Sequence, residues 1–159
     1  MNTNTARLAL SLCAALLLAV AGCAGGPPKP VKTHIAVAAT AATNPDPKGR
    51  PSPVVVRVYQ LKSDASFNGA EFFALFDDDK KVLGADLAGR DEFELAPGES
   101  RVLDLSIPGD VRFVGAIAAF RDIRNSVWRG LTPLPKKLLT STAVKIAVDK
   151  QAVTVALGN

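Results

Sequence analysis

A mainly β fold, a sandwich of short strands, is what this sequence predicts. Runs of alternating apolar residues recur along the chain, Pro, Gly, Asn and Asp turn signals separate them, and only one run has a helical period. Seven or eight short strands and one helix fit that pattern.

Before the first strand, Arg7 precedes an apolar run that ends in Val20-Ala21-Gly22-Cys23. Residues 8–22 number 15, which as a helix reach about 22 Å, short of the roughly 30 Å a spanning helix needs. A basic start, a short apolar core and small residues before a cysteine resemble a bacterial lipoprotein signal peptide. Residues 1–22 are therefore expected to be removed, and Cys23 to carry the lipid. Residues 23–33, with Gly25, Gly26, Pro27, Pro28 and Pro30, form the expected flexible tether. Residues 34–159 form the expected sandwich domain, long enough for one core.

Cleavage removes Cys13 and lipidation uses Cys23, so no thiol remains for a disulfide. Mature charge is +3, from 18 Lys and Arg against 15 Asp and Glu, with the signs interspersed. Without a clustered basic stripe, nucleic acid is not an expected partner.

Residues 34–43 (HIAVAATAAT) read as the first strand. Next come Asn44, Pro45, Asp46, Pro47, Lys48, Gly49, Arg50, Pro51, Ser52 and Pro53, four prolines in ten residues, which make a long stiffened loop. Loops of that length are usually functional or disordered. Val54–Leu61 (VVVRVYQL) is a strand, with Val54, Val56 and Val58 on one face and Val55, Arg57, Tyr59 and Leu61 on the other. Asn68-Gly69-Ala70-Glu71 matches a capping box, after which Phe72, Phe73, Leu75 and Phe76 give a short helix ending near Asp77 and plugging one opening of the sandwich.

Residues 90–95 alternate, with Asp91, Phe93 and Leu95 on one face, and Ala96-Pro97-Gly98-Glu99 turns them into Ser100–Ile107, where Leu103, Leu105 and Ile107 share a face. Residues 111–120 are almost free of polar groups, as expected of a central strand covered on both faces. Val144, Ile146 and Val148, then Val153, Val155 and Leu157, alternate around Asp149-Lys150-Gln151 as a terminal hairpin.

Catalytic chemistry finds little support. His34 is the single histidine, no cysteine is free and no G-x-S-x-G elbow occurs. A hydrolase would need a serine near His34 in space. Asp77-Asp78-Asp79 lacks the rest of a calcium loop and reads as a solvated helix C-terminus. No cofactor and no metal are expected. Arg121-Asp122 and Trp128-Arg129 flank a loop that closes locally or contacts a partner.

Taken in order, Asn44-Pro45-Asp46, Arg50 through Leu61, Phe72-Phe73-Ala74-Leu75, Leu83-Gly84, residues 95–99, residues 114–122 and Trp128-Arg129 resemble the type VI secretion outer-membrane lipoproteins, the TssJ, SciN or VasD family. The resemblance implies a transthyretin-like sandwich of two four-stranded antiparallel sheets. It also implies a non-enzymatic protein lipid-anchored at the periplasmic face of the outer membrane, consistent with Ala24 rather than aspartate after Cys23. The implied partner is the periplasmic C-terminal part of TssM in the TssJ-TssL-TssM complex, and the implied contact region is the loop Asn44 to Pro53. Independently, four prolines would lower the entropy lost on binding, and Asp46, Lys48 and Arg50 would offer charges of both signs. The alternative for the loop is a rigid connector. For the protein, the alternative is a periplasmic carrier or sensor holding a small apolar ligand beneath Phe72, Phe73 and Phe76.

Overall fold

The computed structural model describes residues 29–137 and 142–158. The signal segment, Cys23 and the tether up to residue 28 lie outside the described residues. Among the described residues, eight strands form two four-stranded sheets, and each strand run read from the sequence has its strand.

One sheet has the order β4-β1-β7-β8, built from β1 (Val31–Ala39), β4 (Ser100–Ile107), β7 (Ala143–Val148) and β8 (Val153–Gly158). The other has the order β3-β2-β5-β6, from β2 (Val54–Leu61), β3 (Leu87–Leu95), β5 (Phe113–Ala118) and β6 (Arg129–Pro133). Pairing is antiparallel except between β1 and β7, which run parallel. The first sheet is thus mixed rather than wholly antiparallel. Parallel neighbours need a crossover between them, and here the chain visits the second sheet between β1 and β7.

β1 starts at Val31, inside the stretch expected to be tether, and ends at Ala39 rather than residue 43. Its alternation explains the shift: Thr33, Ile35, Val37 and Ala39 are buried while Lys32, His34, Ala36 and Ala38 face solvent. The inner face meets Val54, Val56, Val58, Ala116, Val144, Ile146 and Val148 in the inter-sheet core. Full burial of each such valine or isoleucine contributes about 2 kcal/mol.

The opposite face of the second sheet is also covered. Three short helices between β2 and β3, α1 (Ala65–Gly69), α2 (Phe72–Asp77) and α3 (Asp79–Leu83), lay Phe67, Phe72, Leu75 and Leu83 over Tyr59, Leu61 and Ile117. Double coverage is why β2 and β5 carry so few polar residues. Their Phe72 stacks on Phe76 and meets Trp128 edge-on, each at 5.3 Å, so aromatic rings fill the space proposed for an apolar ligand; Phe73 points outward.

Two local readings are corrected. Asn68 belongs to α1, where its amide donates to Asp64, and α2 starts after an extended Glu71 with no side-chain cap. The capping box fails because the chain already turns helical at Ala65, so Asn68 has helical rather than cap backbone. Asp77 does end α2 and is exposed, as is Asp78, but a new helix starts at Asp79. Asp78 caps α3 by accepting from the Lys81 amide at 3.2 Å, which places acidic charge at a favourable helix N-terminus. Asp79 is buried, accepting from Arg90 at 2.8 Å and from the Tyr59 hydroxyl at 3.2 Å, with Arg57 at 3.6 Å. Arg57 also pairs with Glu92 and donates to the Phe76 carbonyl at 2.6 Å. Burial pushes the Tyr59 phenol far above its ordinary pKa, so it stays a donor.

β6 closes the sandwich beside β8. Gly130 lets β8 come close there: a Cβ would lie a tight 3.1 Å from the Val153 carbonyl and from Val155.

Candidate partner-binding loop

The β1–β2 connection turns back on itself around two residues. Asn44 takes the left-handed region (φ 51°), which asparagine tolerates better than most residues. From there its buried amide joins three segments. Its Nδ2 donates to the Pro53 carbonyl at 2.7 Å, its Oδ1 accepts from the Arg121 amide at 2.8 Å, and its own N–H donates to the Lys150 carbonyl at 2.9 Å. Below it, the buried Thr43 hydroxyl donates to the Val148 carbonyl, and the Ser52 amide donates to the Thr43 carbonyl. Asn44 and Ser52 are both buried, so their side chains shape the loop from inside.

Asp46 organises the tip. Its Oδ1 accepts from the Lys48 and Arg50 amides at 2.8 and 3.0 Å, while its Oδ2 takes Arg50 Nε at 2.8 Å and Nη2 at 2.7 Å. Two backbone bonds between Asp46 and the tip, Asp46 N–H to the Arg50 carbonyl and Gly49 N–H to the Asp46 carbonyl, complete the turn. Gly49 has φ +79°, and only glycine enters that region without strain. Hydrogen bonds from the Arg50 backbone and side chain hold the Asp46 carboxyl below the usual carboxylate range.

The loop therefore does not offer balanced charge outward. Asp46 spends its charge internally, leaving Pro47, Lys48, Gly49, Arg50 and Pro51 as the exposed tip. Pro45, Asp46, Pro47 and Gly49 form one wall of a shallow cleft. Residues 121–125, including the 3-10 turn Ile123–Asn125, and the β7–β8 turn at Lys150 and Gln151 supply the other. Arg121, Arg124 and Lys150 are exposed on that rim, so the cleft is edged mainly by cations. The sequence shows Arg121 flanking a loop; Lys150 reads only as a turn residue, and no local signal places it beside Asp46. Trp128 packs on Phe72, and Arg129 stacks on its indole while donating to the Phe67 and Ala70 carbonyls, so this pair closes the structure locally.

His34 lies elsewhere, on the outer face of the first sheet, where Nδ1 meets Asp104 at 2.5 Å across the β1–β4 ladder. Both side chains are largely exposed and Ser106 is two residues along, on the same face. Together with Lys32, Thr33 and Leu105, these three residues line a half-open groove on that face. Among the described residues, no group of three or more His, Cys, Asp or Glu could hold a metal ion, and no helix is long and apolar enough to cross a membrane.

This architecture is matched by the family model described as type VI secretion lipoprotein, VasD, EvfM, TssJ, over residues 31–158. The chain belongs to that family. It is similar to the lipoprotein TssJ1 of Pseudomonas aeruginosa, with 32% identity and a TM-score of 0.76 over 82% of this chain and 98% of that one. It is also similar to Serratia marcescens Lip, a membrane-bound component of the type VI secretion system, at 30% identity and TM-score 0.72, covering 80% and 96%. A further match, at 30% identity and TM-score 0.65 over 83% and 99%, is a chain in the structure of the TssM C-terminal domain from EAEC. A comparison with curated proteins gave no match. As a type VI secretion lipoprotein the chain is a component of a secretion apparatus, and its two-sheet fold is that of the solved TssJ proteins.

Proposed function

We propose that this lipoprotein is acylated at Cys23, sits at the periplasmic face of the outer membrane, and binds the periplasmic C-terminal domain of TssM through the loop of residues 44–52. It would thereby anchor the TssJ-TssL-TssM complex. The observation carrying the partnership is that a chain of this fold, 30% identical, occurs in the structure of a TssM C-terminal domain. Support for the loop is local. Four prolines and the Asn44 and Asp46 hydrogen bonds fix its shape before any contact is made, so little ordering entropy remains to oppose binding. The anchor reading rests on the small residues before Cys23 and on family membership. More than one acyl chain holds a protein firmly, each buried methylene contributing about 0.8 kcal/mol.

The test is co-purification with the TssM periplasmic domain. Lys48→Glu combined with Pro47→Ala, both exposed and remote from the core, should weaken binding at least about tenfold with the fold unchanged. Undiminished binding would remove the loop from the interface. Separately, Cys23→Ser should leave membrane fractions while keeping TssM binding; a variant that still pellets with membranes as wild type does would refute the anchor.

A further inference from the structure

Both ends of the sandwich carry exposed cations, but only one lies where the tether enters the fold. β1 enters at Val31, paired with Ile107, and leaves at Ala39, about 25 Å away. The Asn44 loop stands at the leaving end. Around the entering end, Ile107 leads into residues 108–112, and Phe113 pairs with Pro133, which leads into residues 134–137. These segments and the end of the tether enclose a cleft edged by Lys29, Arg112, Lys136 and Lys137, all exposed.

Arg112 and the segment carrying Lys136 and Lys137 are held in place by hydrogen bonds. Arg112 points its guanidinium at carbonyls, with Nη1 donating to Gly109 at 2.8 Å and Val111 at 3.0 Å. Lys136 and Lys137 follow Pro133 and Pro135, and the segment is pinned by buried Leu134, whose amide donates to the Arg112 carbonyl at 2.7 Å. Asp110, the carboxylate nearest in sequence, pairs with Lys62 at 2.9 Å and also interacts with Arg112, which leaves Lys29, Lys136 and Lys137 as the main cations that face solvent.

We infer that this basic end docks on anionic phospholipid headgroups beside the anchor, orienting the sandwich so that the Asn44 loop faces away from the membrane. The inference rests on acylation at Cys23. From there to Lys29 is six residues, at most about 20 Å when extended, so the entering end stays near the headgroups and weak attraction suffices. Each cation within a Debye length of about 8 Å of an anionic surface strengthens contact about fivefold.

Full-length acylated protein is reconstituted into vesicles of phosphatidylcholine alone or mixed with phosphatidylglycerol. Flotation reports the anchor, and hydrogen–deuterium exchange of residues 108–112 and 134–137 reports docking. Phosphatidylglycerol should slow that exchange at least about fivefold, high salt should abolish the effect, and so should Arg112→Gln, Lys136→Gln and Lys137→Gln together, which should still float. Equal exchange in both vesicles by a floating protein overturns the docking and leaves the anchor standing. Failure to float with either removes the anchor, and docking with it. Protection appearing only when the TssM domain is added assigns the basic end to protein and overturns the inference.

Discussion

Asn44 accepts a hydrogen bond from the backbone amide of Arg121, 77 residues later in the chain, at 2.8 Å. That bond ties the β1–β2 loop to the loop after β5, and the same side chain donates to Pro53 at the loop's far end. One buried amide thus sets both the closure of the loop and its position against the neighbouring wall.

Asn44→Ala should cost about 3 kcal/mol, the sum of two orphaned buried partners and a left-handed alanine. Asn44→Gly should recover about 1 kcal/mol of that by relieving the backbone. Urea midpoints of the three proteins measure the order directly; equal midpoints for Ala and Gly would mean the backbone conformation is unimportant.

Asp46 predicts an acid-sensitive loop. Its carboxyl is depressed below the ordinary 3.8, so the stabilisation from Lys48 and Arg50 is fully present above that value and is lost as pH falls through the lower folded one. In an NMR titration the amide shifts of Lys48 and Arg50 should share a midpoint below 3.8. Asp46→Asn should leave them flat in that window.

The network under the helices should be expensive to break from one side. Asp79→Ala leaves the buried Arg57 without one of its carboxylates and Tyr59 without its acceptor, a loss of about 3 kcal/mol. Thermal unfolding should register it, while the Lys48→Glu surface change should move the midpoint negligibly.

The Thr33 hydroxyl is buried and has no hydrogen-bond partner. Thr33→Val replaces it with a methyl of similar size, which should raise stability by about 1 kcal/mol. A lower urea midpoint for this variant would show that the hydroxyl is satisfied in solution.

The elements legible in the sequence are those whose environment repeats along the chain. β5 reads as a covered strand because both its faces are buried, β2 as a strand from its run of valines, and β7 and β8 as a hairpin because one face of each is buried. β6 was not foreseen: Arg129-Gly130-Leu131-Thr132-Pro133 does not alternate, Gly130 being there for the approach of β8 and Pro133 being tolerated at an edge. Asp79 was misread because its partners, Tyr59, Arg57 and Arg90, lie on two strands, and a run of three aspartates gives no hint that a helix ends and another starts inside it. For the candidate site, the prolines mark the loop's limits. Of the opposite wall only Arg121 stands out in the sequence, and its meeting with Arg124 and Lys150 beside the loop does not, since only the strand order brings those turns together.

The route of β1 has a mechanical corollary. A pull applied between Val31 and Thr40 runs lengthwise along a strand laddered on both flanks, to β4 on one side and β7 on the other. Both ends of that pull belong to one strand that is already extended, so the covalent backbone of β1 carries it and the ladders on either flank need not shear. Tension entering at the amino-terminal stalk and leaving at the proline-stiffened crest is therefore borne by β1 itself, and the sandwich around it carries little of the load.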